Sequence, residues 1–407
     1  MPWQEASIME QRFEFVTLAS RPDANVAALC RGFGISRETG HKWIRRFKAG
    51  GKGALADHPR RPHASPERTG DILEAFVLAL RDQHPAWGAR KLRTRLATLG
   101  QTQVPAASTI TEILRRHGRI SGAASAAHKP VQRFEREHPN ELWQMDFKGY
   151  VPMHVGGRCH PLTVLDDHSR FVVGLWACVD EQSVTVHDRL EAIFRRYGLP
   201  QRILTDNGPP WGVGSAPARY TRLTVWLLRL GVGVSHGRPR HPQTQGKDER
   251  FHRTLKAELL SRQNLASITH AQRLFDAWRD VYNLERPSEA IGMLVPAARY
   301  RPSERAYPEK LPEVVHSPGD TVRRVRHDGS LNYRGSVWYV GQAFKREHLG
   351  LRTLDDGTVE ARYGPYVVAR FPPSDTPINA SRLAPVLRSG SLRSPPLRPW
   401  ARRSKCQ

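Results

Sequence analysis

The chain has 407 residues, with 63 Lys plus Arg against 39 Asp plus Glu, a formal net charge of +24 and a pI near 10.6. Such a surplus attracts a polyanion before any specific contact forms. A hydrophobic content of 39% over this length supports several buried cores, which sets the chain apart from small basic proteins of the ribosomal or histone-like kind. The four cysteines, Cys30, Cys159, Cys178 and Cys406, contain no Cys-x-x-Cys pair, which argues against a disulfide framework and a structural zinc site and fits a reducing compartment. No stretch reaches the length of an apolar membrane span and no basic region precedes an apolar signal core, so a soluble, unprocessed protein is expected.

Apolar positions Phe13, Val16 and Leu18, then Val26, Ala27, Leu29 and Cys30, predict two short amphipathic helices separated by Arg21-Pro22-Asp23. After Gly32-Phe33-Gly34, Ser36 can cap a third helix that turns Trp43, Ile44 and Phe47 inward and leaves Arg37, Thr39, Lys42, Arg45 and Arg46 on other faces. This is helix-turn-helix grammar, and the five polar residues are candidate DNA contacts; a plain three-helix bundle with a basic face is the alternative. A first domain over 1–55 is followed by a Pro-rich linker at 56–67 containing Arg60 and Arg61. A second helical module over 68–120 carries Ile72, Leu73, Phe76, Val77 and Leu80, then Leu92, Leu96 and Leu99, then a helix opened by Ser108. Arg90, Lys91, Arg115 and Arg116 are its candidate DNA contacts. Residues 1–134 hold 22 Lys plus Arg against 11 Asp plus Glu, a surplus that suits phosphate contacts. The small residues from Ser121 to Ala127 mark a second linker, 121–139.

From about Asn140 strands alternate with helices. Trp143, Met145 and Phe147 share one face of the first strand, and Gln144, Asp146 and Lys148 the other. Pro161 to Leu165 and Phe171 to Trp176 read as further strands, and Val186, Leu190, Ile193, Phe194 and Tyr197 recur at helical spacing. A short strand, Arg202 to Thr205, ends at Asp206, where Asn207-Gly208 turns the chain; an ordinary turn would also use these residues. A helix over Gly246 to Leu260 places Phe251, Leu255 and Leu259 on an apolar stripe and Glu249 with Arg253 on a different face, roughly 200° away. Alone, Glu249 would read as part of a solvated face. Lys247, Arg253 and Lys256 are candidate phosphate contacts.

Four motifs carry a more specific signal: Trp143-Gln144-Met145-Asp146-Phe147; Leu165-Asp166-Asp167-His168-Ser169-Arg170; Thr205-Asp206-Asn207-Gly208; and the run from His241 to Leu255 that includes Gly246-Lys247-Asp248-Glu249-Arg250. In this order they closely resemble the catalytic core of bacterial insertion-sequence transposases that share the retroviral integrase fold. The resemblance covers roughly residues 140–300, and the paired N-terminal modules also look like that group. It implies an RNase H-like core over 140–305 in which Asp146, Asp206 and Glu249 are the catalytic carboxylates and bind two Mg²⁺ ions, with Mn²⁺ able to substitute. Converging carboxylates need such neutralisation, and hard oxygen ligands suit these cations. Fifty-nine residues separate Asp146 from Asp206 and forty-two separate Asp206 from Glu249. The second gap is longer than the family's commonest spacing, which places extra loop near Pro209 to Pro217. Asp248 stands where the family more often has an apolar or neutral residue. Asp166 and Asp167 are expected to shape a turn rather than touch metal. His168, His236, His241 and His252 lack a convincing ligand spacing.

Val281-Tyr282-Asn283, Arg286-Pro287 and Pro296 resemble the family's closing helix and turn. Beyond it, β-prone segments at Val322 to Val325, Ser336 to Val340, Leu349 to Thr353, Thr358 to Arg362 and Tyr366 to Phe371 predict a small barrel-like domain over 310–372, and 373–407 reads as a basic disordered tail. The whole is expected to be multidomain: all-α helix-turn-helix modules, an α/β core with a mixed sheet, and a small β domain. The resemblance implies a DNA transposase, a polynucleotidyl transferase and nuclease. It would act as a homo-oligomer on double-stranded DNA, both the element's terminal inverted repeats and a target, in the cytoplasm at the bacterial nucleoid. A catalytically silent DNA-binding regulator derived from such an enzyme, and a nuclease that only cuts, are the competing readings.

Overall fold

The computed structural model describes residues 7–57, 69–120, 135–212, 220–236 and 246–372. Arg60, Arg61, the second linker up to residue 134, the expected loop extension from 213, His241 to Gln245 and the C-terminal tail lie outside them. Contacts divide the chain into two compact units, Met1–Thr69 and Gly70–Gln407.

In the first unit, helices α1 (Ile8–Ala19), α2 (Val26–Gly32) and α3 (Arg37–Gly50) enclose Phe15, Val16, Cys30, Trp43 and Leu55. Each helix begins at a side chain that can satisfy an orphan amide: Ser7, Asn25 and Ser36 accept from the amides of Glu10, Ala28 and Thr39. Gly34 turns between α2 and α3 at φ 64°. The two helices approach so closely that a Cβ on Gly40 would lie 2.4 Å from Cys30 Sγ.

The second unit opens with α4 (Asp71–Gln83), α5 (Ala89–Thr98) and α6 (Ala107–Arg116), whose Val77, Leu80, Trp87, Leu92, Leu96, Ile110, Ile113 and Leu114 form one core. Six strands follow: β1 (Trp143–Phe147), β2 (Val151–Pro152), β3 (Arg158–Asp166), β4 (Val172–Cys178), β5 (Arg202–Thr205) and β6 (Gly233–His236). Strand β3 runs antiparallel to β4 on one side and to β1 and β2 on the other, while β5 is parallel to both β1 and β6. The resulting order β4-β3-β1-β5-β6 is the mixed sheet of an RNase H-like domain. The helices α7 (Ser183–Tyr197) and α8 (Arg222–Arg229) supply Leu190, Phe194, Leu223 and Leu227 to a core shared with Trp143, Met145 and Val164. The second core joins α9 (Gly246–Leu255) and α10 (Ile268–Leu284), through Phe251, Leu255, Phe275 and Trp278, to Leu165, Val172 and Leu175. Trp143 and Met145 thus belong to one layer, and alternation along β1 sends Gln144 and Asp146 to the opposite face.

Two elements depart from the sequence expectation. The helix expected to run from Gly246 to Leu260 is α-helical only to Leu255 and continues as a π-helical turn, Lys256–Leu260. The wider turn accompanies a buried polar contact: Glu258 accepts from Arg286 Nε at 2.8 Å and Trp278 Nε1 at 3.2 Å. The sequence reading also passed over α8 and β6, which carry the chain from Thr221 to His236.

The C-terminal domain is built from two sheets rather than one. Strands β7 (Thr321–Arg324), β10 (His348–Thr353), β11 (Val359–Tyr363) and β12 (Tyr366–Phe371) pair in the order β12-β11-β10-β7, beside the hairpin β8 (Ser330–Tyr333) and β9 (Ser336–Tyr339). Strand β8 was not anticipated; packing of Leu331 and Tyr333 among Trp338, Phe344 and Phe371 holds it. Val225 and Leu228 of α8 complete this core.

Candidate active site and nucleic-acid-binding helices

Register brings the first two predicted carboxylates together. Gln144 of β1 lies opposite Leu204 of the parallel strand β5, so two positions further on Asp146 and Asp206 stand level at the strand ends. Burial, and next the charge of Asp206, push the Asp146 carboxyl up to about 6. Burial also raises Asp206, against the opposing hydrogen bond from the Gly208 amide at 3.2 Å. A Cβ on Gly208 would lie 3.2 Å from Asp206 Oδ2, so a larger residue here would press on that carboxylate. His236 Nδ1, at the end of β6, donates to the Asp206 carbonyl at 2.8 Å and fixes the turn.

Two residues that the sequence reading left out of the site border it. Glu181, just before α7, adds negative charge felt by both Asp146 and Asp206 and is held by His160 Nδ1 at 2.8 Å. No motif marks an isolated Glu of this kind. His252 Nδ1 lies 3.9 Å from Asp146 Oδ2 while its Nε2 is 2.9 Å from Thr163 Oγ1, and burial pulls the ring down to about 4, so it is neutral at physiological pH. Its spacing three residues after Glu249 was the available signal.

The third predicted carboxylate is placed differently. Glu249 is exposed on α9, about 60° around the helix from the inward His252. The adjacent Asp248 turns inward instead: it is 3% exposed, its Oδ1 has no hydrogen-bond partner among the described residues, and burial, then the charges of Asp146 and Asp167, raise it well above the ordinary carboxylate range. Among the described residues no three His, Cys, Asp or Glu side chains gather at ligating range. The pair Asp146 and Asp206 nevertheless fits a hard divalent cation, because two carboxylates that both resist ionisation are relieved by a positive charge between them.

Several predicted DNA contacts are engaged elsewhere. Lys247, expected at phosphate, is instead paired with the buried Asp167. Arg116 donates from Nη2 to both oxygens of buried Glu74 at 2.7 Å, and Arg115 pairs with Glu112 on its own helix. Lys91 is half-buried near Arg286, and burial lowers it to about 8. Arg46 donates to the Ala56 carbonyl at 3.3 Å and lies over the Trp43 ring. Arg37, Lys42 and Arg45 are exposed on α3, Arg90 on α5, and Arg253 and Lys256 on or just after α9; Thr39 is half-buried at the α3 cap.

Comparison with known proteins matches domain models along the chain. An integrase core domain matches residues 136–242, a second integrase core domain 230–296, a helix-turn-helix domain 11–63, a homeodomain-like domain 39–114, and the C-terminal domain of IS481 family transposases 320–371. The uncharacterized 31.7 kDa protein of insertion element IS407 from Burkholderia multivorans is 26% identical over 263 residues, covering 62% of this chain and 90% of that protein. The domain matches and the insertion-element relatives together support a bacterial insertion-sequence transposase with an integrase-type core. A further relative, the 39.2 kDa protein of insertion element IS476 from Xanthomonas euvesicatoria, is 25% identical over 58% of this chain and 67% of its own length. The Gag-Pol polyprotein of baboon endogenous virus is 29% identical over 54% of this chain, but only 12% of the polyprotein is covered. Among solved structures, a simian T-cell lymphotropic virus intasome in complex with the PP2A regulatory subunit B56 gamma aligns at TM-score 0.35 and 15% identity, over 71% of this chain and 96% of that one. The HTLV-2 integrase catalytic core in complex with magnesium aligns at TM-score 0.31 and 16% identity, over 40% and 99%. The helix-turn-helix match falls on α1 to α3, and the transposase C-terminal match on β7 to β12. No described helix of the chain is long and apolar enough to cross a membrane.

Proposed function

We propose that the protein is a DNA transposase that binds the terminal inverted repeats of an insertion sequence and carries out Mg²⁺-dependent 3′ end cleavage and strand transfer into target DNA. The observation that carries this reading is the pairing of Asp146 and Asp206 at the ends of adjacent parallel strands, each resisting ionisation. Asp146, Asp206 and Glu249 would hold two divalent cations, Mg²⁺ or Mn²⁺, which when bound would polarise the attacking water or 3′-hydroxyl and stabilise the departing 3′ oxygen. Neutral His252 backs Asp146 without adding a competing positive charge, and the exposed Arg253 and Lys256 on the flank of α9 beside Glu249 can fix the DNA backbone. The first helical module reads the repeats, and copies of the chain assemble on paired ends. The domain division proposed with this function is a helix-turn-helix domain, a second helical module, the core and a β domain.

The test is strand transfer with labelled terminal-repeat DNA, a supercoiled target and Mg²⁺. Metal-dependent joined products are expected. Specific end binding without cutting or joining in Mg²⁺ or Mn²⁺ would assign a silent regulator instead. A second version of the site, with Asp248 as the third carboxylate, is favoured by one observation: Asp248 and not Glu249 faces inward.

End binding supplies its own prediction. Substituting Arg37, Lys42 and Arg45 together by Ala should weaken repeat binding and flatten the plot of log affinity against log salt by about 0.9 for each phosphate that is no longer neutralised. Fluorescence anisotropy across a salt series measures this, and an unchanged affinity and slope would remove α3 from the interface.

A further inference from the structure

Strand β1 and helix α9 present two of the proposed catalytic carboxylates, and one buried side chain outside the triad touches both elements. Asp167, in the turn after β3, is 3% exposed. Its Oδ1 accepts from Gln144 Nε2 at 2.7 Å and from the Lys247 ammonium, and its Oδ2 accepts from the Arg136 amide at 2.9 Å. Gln144 lies two residues before Asp146 on the same face of β1, and Lys247 lies two residues before Glu249 in the first turn of α9. The neighbouring Arg170 donates to the Asp167 carbonyl and lies 3.7 Å from Glu135, which in turn pairs with Arg299 at 2.7 Å. Burial works to raise the Asp167 carboxyl, but Lys247 and Arg170 outweigh it and hold it ionised.

We infer that the Asp167 carboxylate is a latch: by joining Gln144 to Lys247 it sets the rotation of α9 against β1, making Asp167 and Lys247 positioning residues for the carboxylate that completes the active site. This deepens the proposed transposase reading and rests on it.

The physical case concerns the first turn of α9. Phe251, Leu255 and Leu259 seat the later part of the helix and its continuation by apolar contact, which is non-directional and leaves rotation weakly set. The first turn has no apolar anchor of this kind; its inward residues are Lys247 and Asp248. Burying the Asp248 carboxyl, whose Oδ1 has no partner among the described residues, opposes docking of that turn. A charge-assisted, directional bond from Lys247 to Asp167 offsets this and selects one rotation. Loss of the latch would free the turn while leaving the rest of the core seated. Polar groups that orient metal-site ligands in this way typically alter metal affinity by about 10–100-fold when removed.

The experiment uses the full chain with Asp167→Asn, Lys247→Met and Lys247→Arg. Hydrogen exchange of metal-free protein is followed at residues 246–255 and 183–197, together with end-DNA binding and the Mg²⁺ concentration giving half-maximal joining. Lys247→Met and Asp167→Asn should speed exchange about tenfold or more in 246–255 but not in 183–197, raise the Mg²⁺ requirement by about tenfold or more, and leave end binding intact. Lys247→Arg, which keeps the charge, should recover most of both losses. If Asp167→Asn fails to fold, Lys247→Met, at a partly exposed position, still decides. Unchanged exchange at 246–255, or an equal rise in 183–197, overturns the latch. So does weakened end binding with normal exchange, which would return Lys247 to the DNA. A wild-type chain that joins no DNA sinks the transposase reading alone, because the exchange measurement needs neither metal nor activity.

Discussion

Asp146→Asn should lower strand transfer by on the order of 10³-fold or more, yet make the metal-free protein more stable at neutral pH. The opposite signs share one cause. The Asp146 carboxyl is pushed from 3.8 to about 6 by burial and then by Asp206, so its ionised form is what the fold resists. Below pH about 4 the side chain is protonated in folded and unfolded chains alike, and the fold bears no penalty. Between about 4 and 6 the unfolded chain ionises while the folded chain keeps its proton, and stability falls as pH rises. Above about 6 both states are ionised and the penalty stays at its full size, at most roughly 3 kcal/mol for that displacement. An amide cannot ionise, so Asp146→Asn should melt above the natural chain at pH 7.5 and level with it near pH 4. Mg²⁺ should raise the melting temperature of the natural chain by binding the folded state, and should do so much less for the variant. Thermal melts at the two pH values, with and without Mg²⁺, give all the comparisons. Equal melting at pH 7.5, or a full Mg²⁺ response in the variant, would show that the two aspartates do not share a cation site. Asp206→Asn should share the loss of joining while retaining end binding.

The sequence made Asp146 and Asp206 legible because local rules govern both. Period-two alternation along Trp143 to Phe147 assigns Asp146 a face, and the Thr205-Asp206-Asn207-Gly208 turn follows a short apolar strand. That these strands are adjacent and parallel is a matter of topology, which only the resemblance supplied. The three helices of the first module were equally readable, from the apolar spacing of the first two and from Ser36, a capping residue where local chemistry decides. The basic residues were read less well. Arg116 and Lys247 look like phosphate ligands in the sequence, but Glu74 and Asp167, 42 and 80 residues away, claim them. Charge periodicity reports which face a side chain occupies and is silent about a distant buried carboxylate. The π-helical turn after Leu255 was hidden for the same reason, as Glu258 meets Arg286 only once α10 has packed.

Glu249→Gln should abolish joining, whereas Asp248→Val should leave joining within a few-fold of the natural chain and stabilise the fold by about 1–3 kcal/mol. The two acids are neighbours on α9, so one helix rotation separates the assignments. Asp248 is fully inward, and burial keeps its carboxyl protonated well above the usual range. Its Oδ1 is unpartnered among the described residues, and replacing a buried unpaired polar group with an apolar side chain of similar size removes a desolvation cost. Glu249, exposed on the flank beyond His252, has a longer side chain that can turn toward Asp146 when bound cations bring positive charge to the cleft. Its exposure leaves its carboxyl oxygens accessible to a hard cation. Rates of joining on pre-cleaved ends, set beside urea denaturation midpoints, separate the roles. Lost joining in both variants would make Asp248 part of the chemistry, and loss in Asp248→Val alone would reverse the assignment. Because Asp248→Val should raise the denaturation midpoint, an inactive but more stable Val variant could not be explained by misfolding, and the buried acid would then be the third carboxylate.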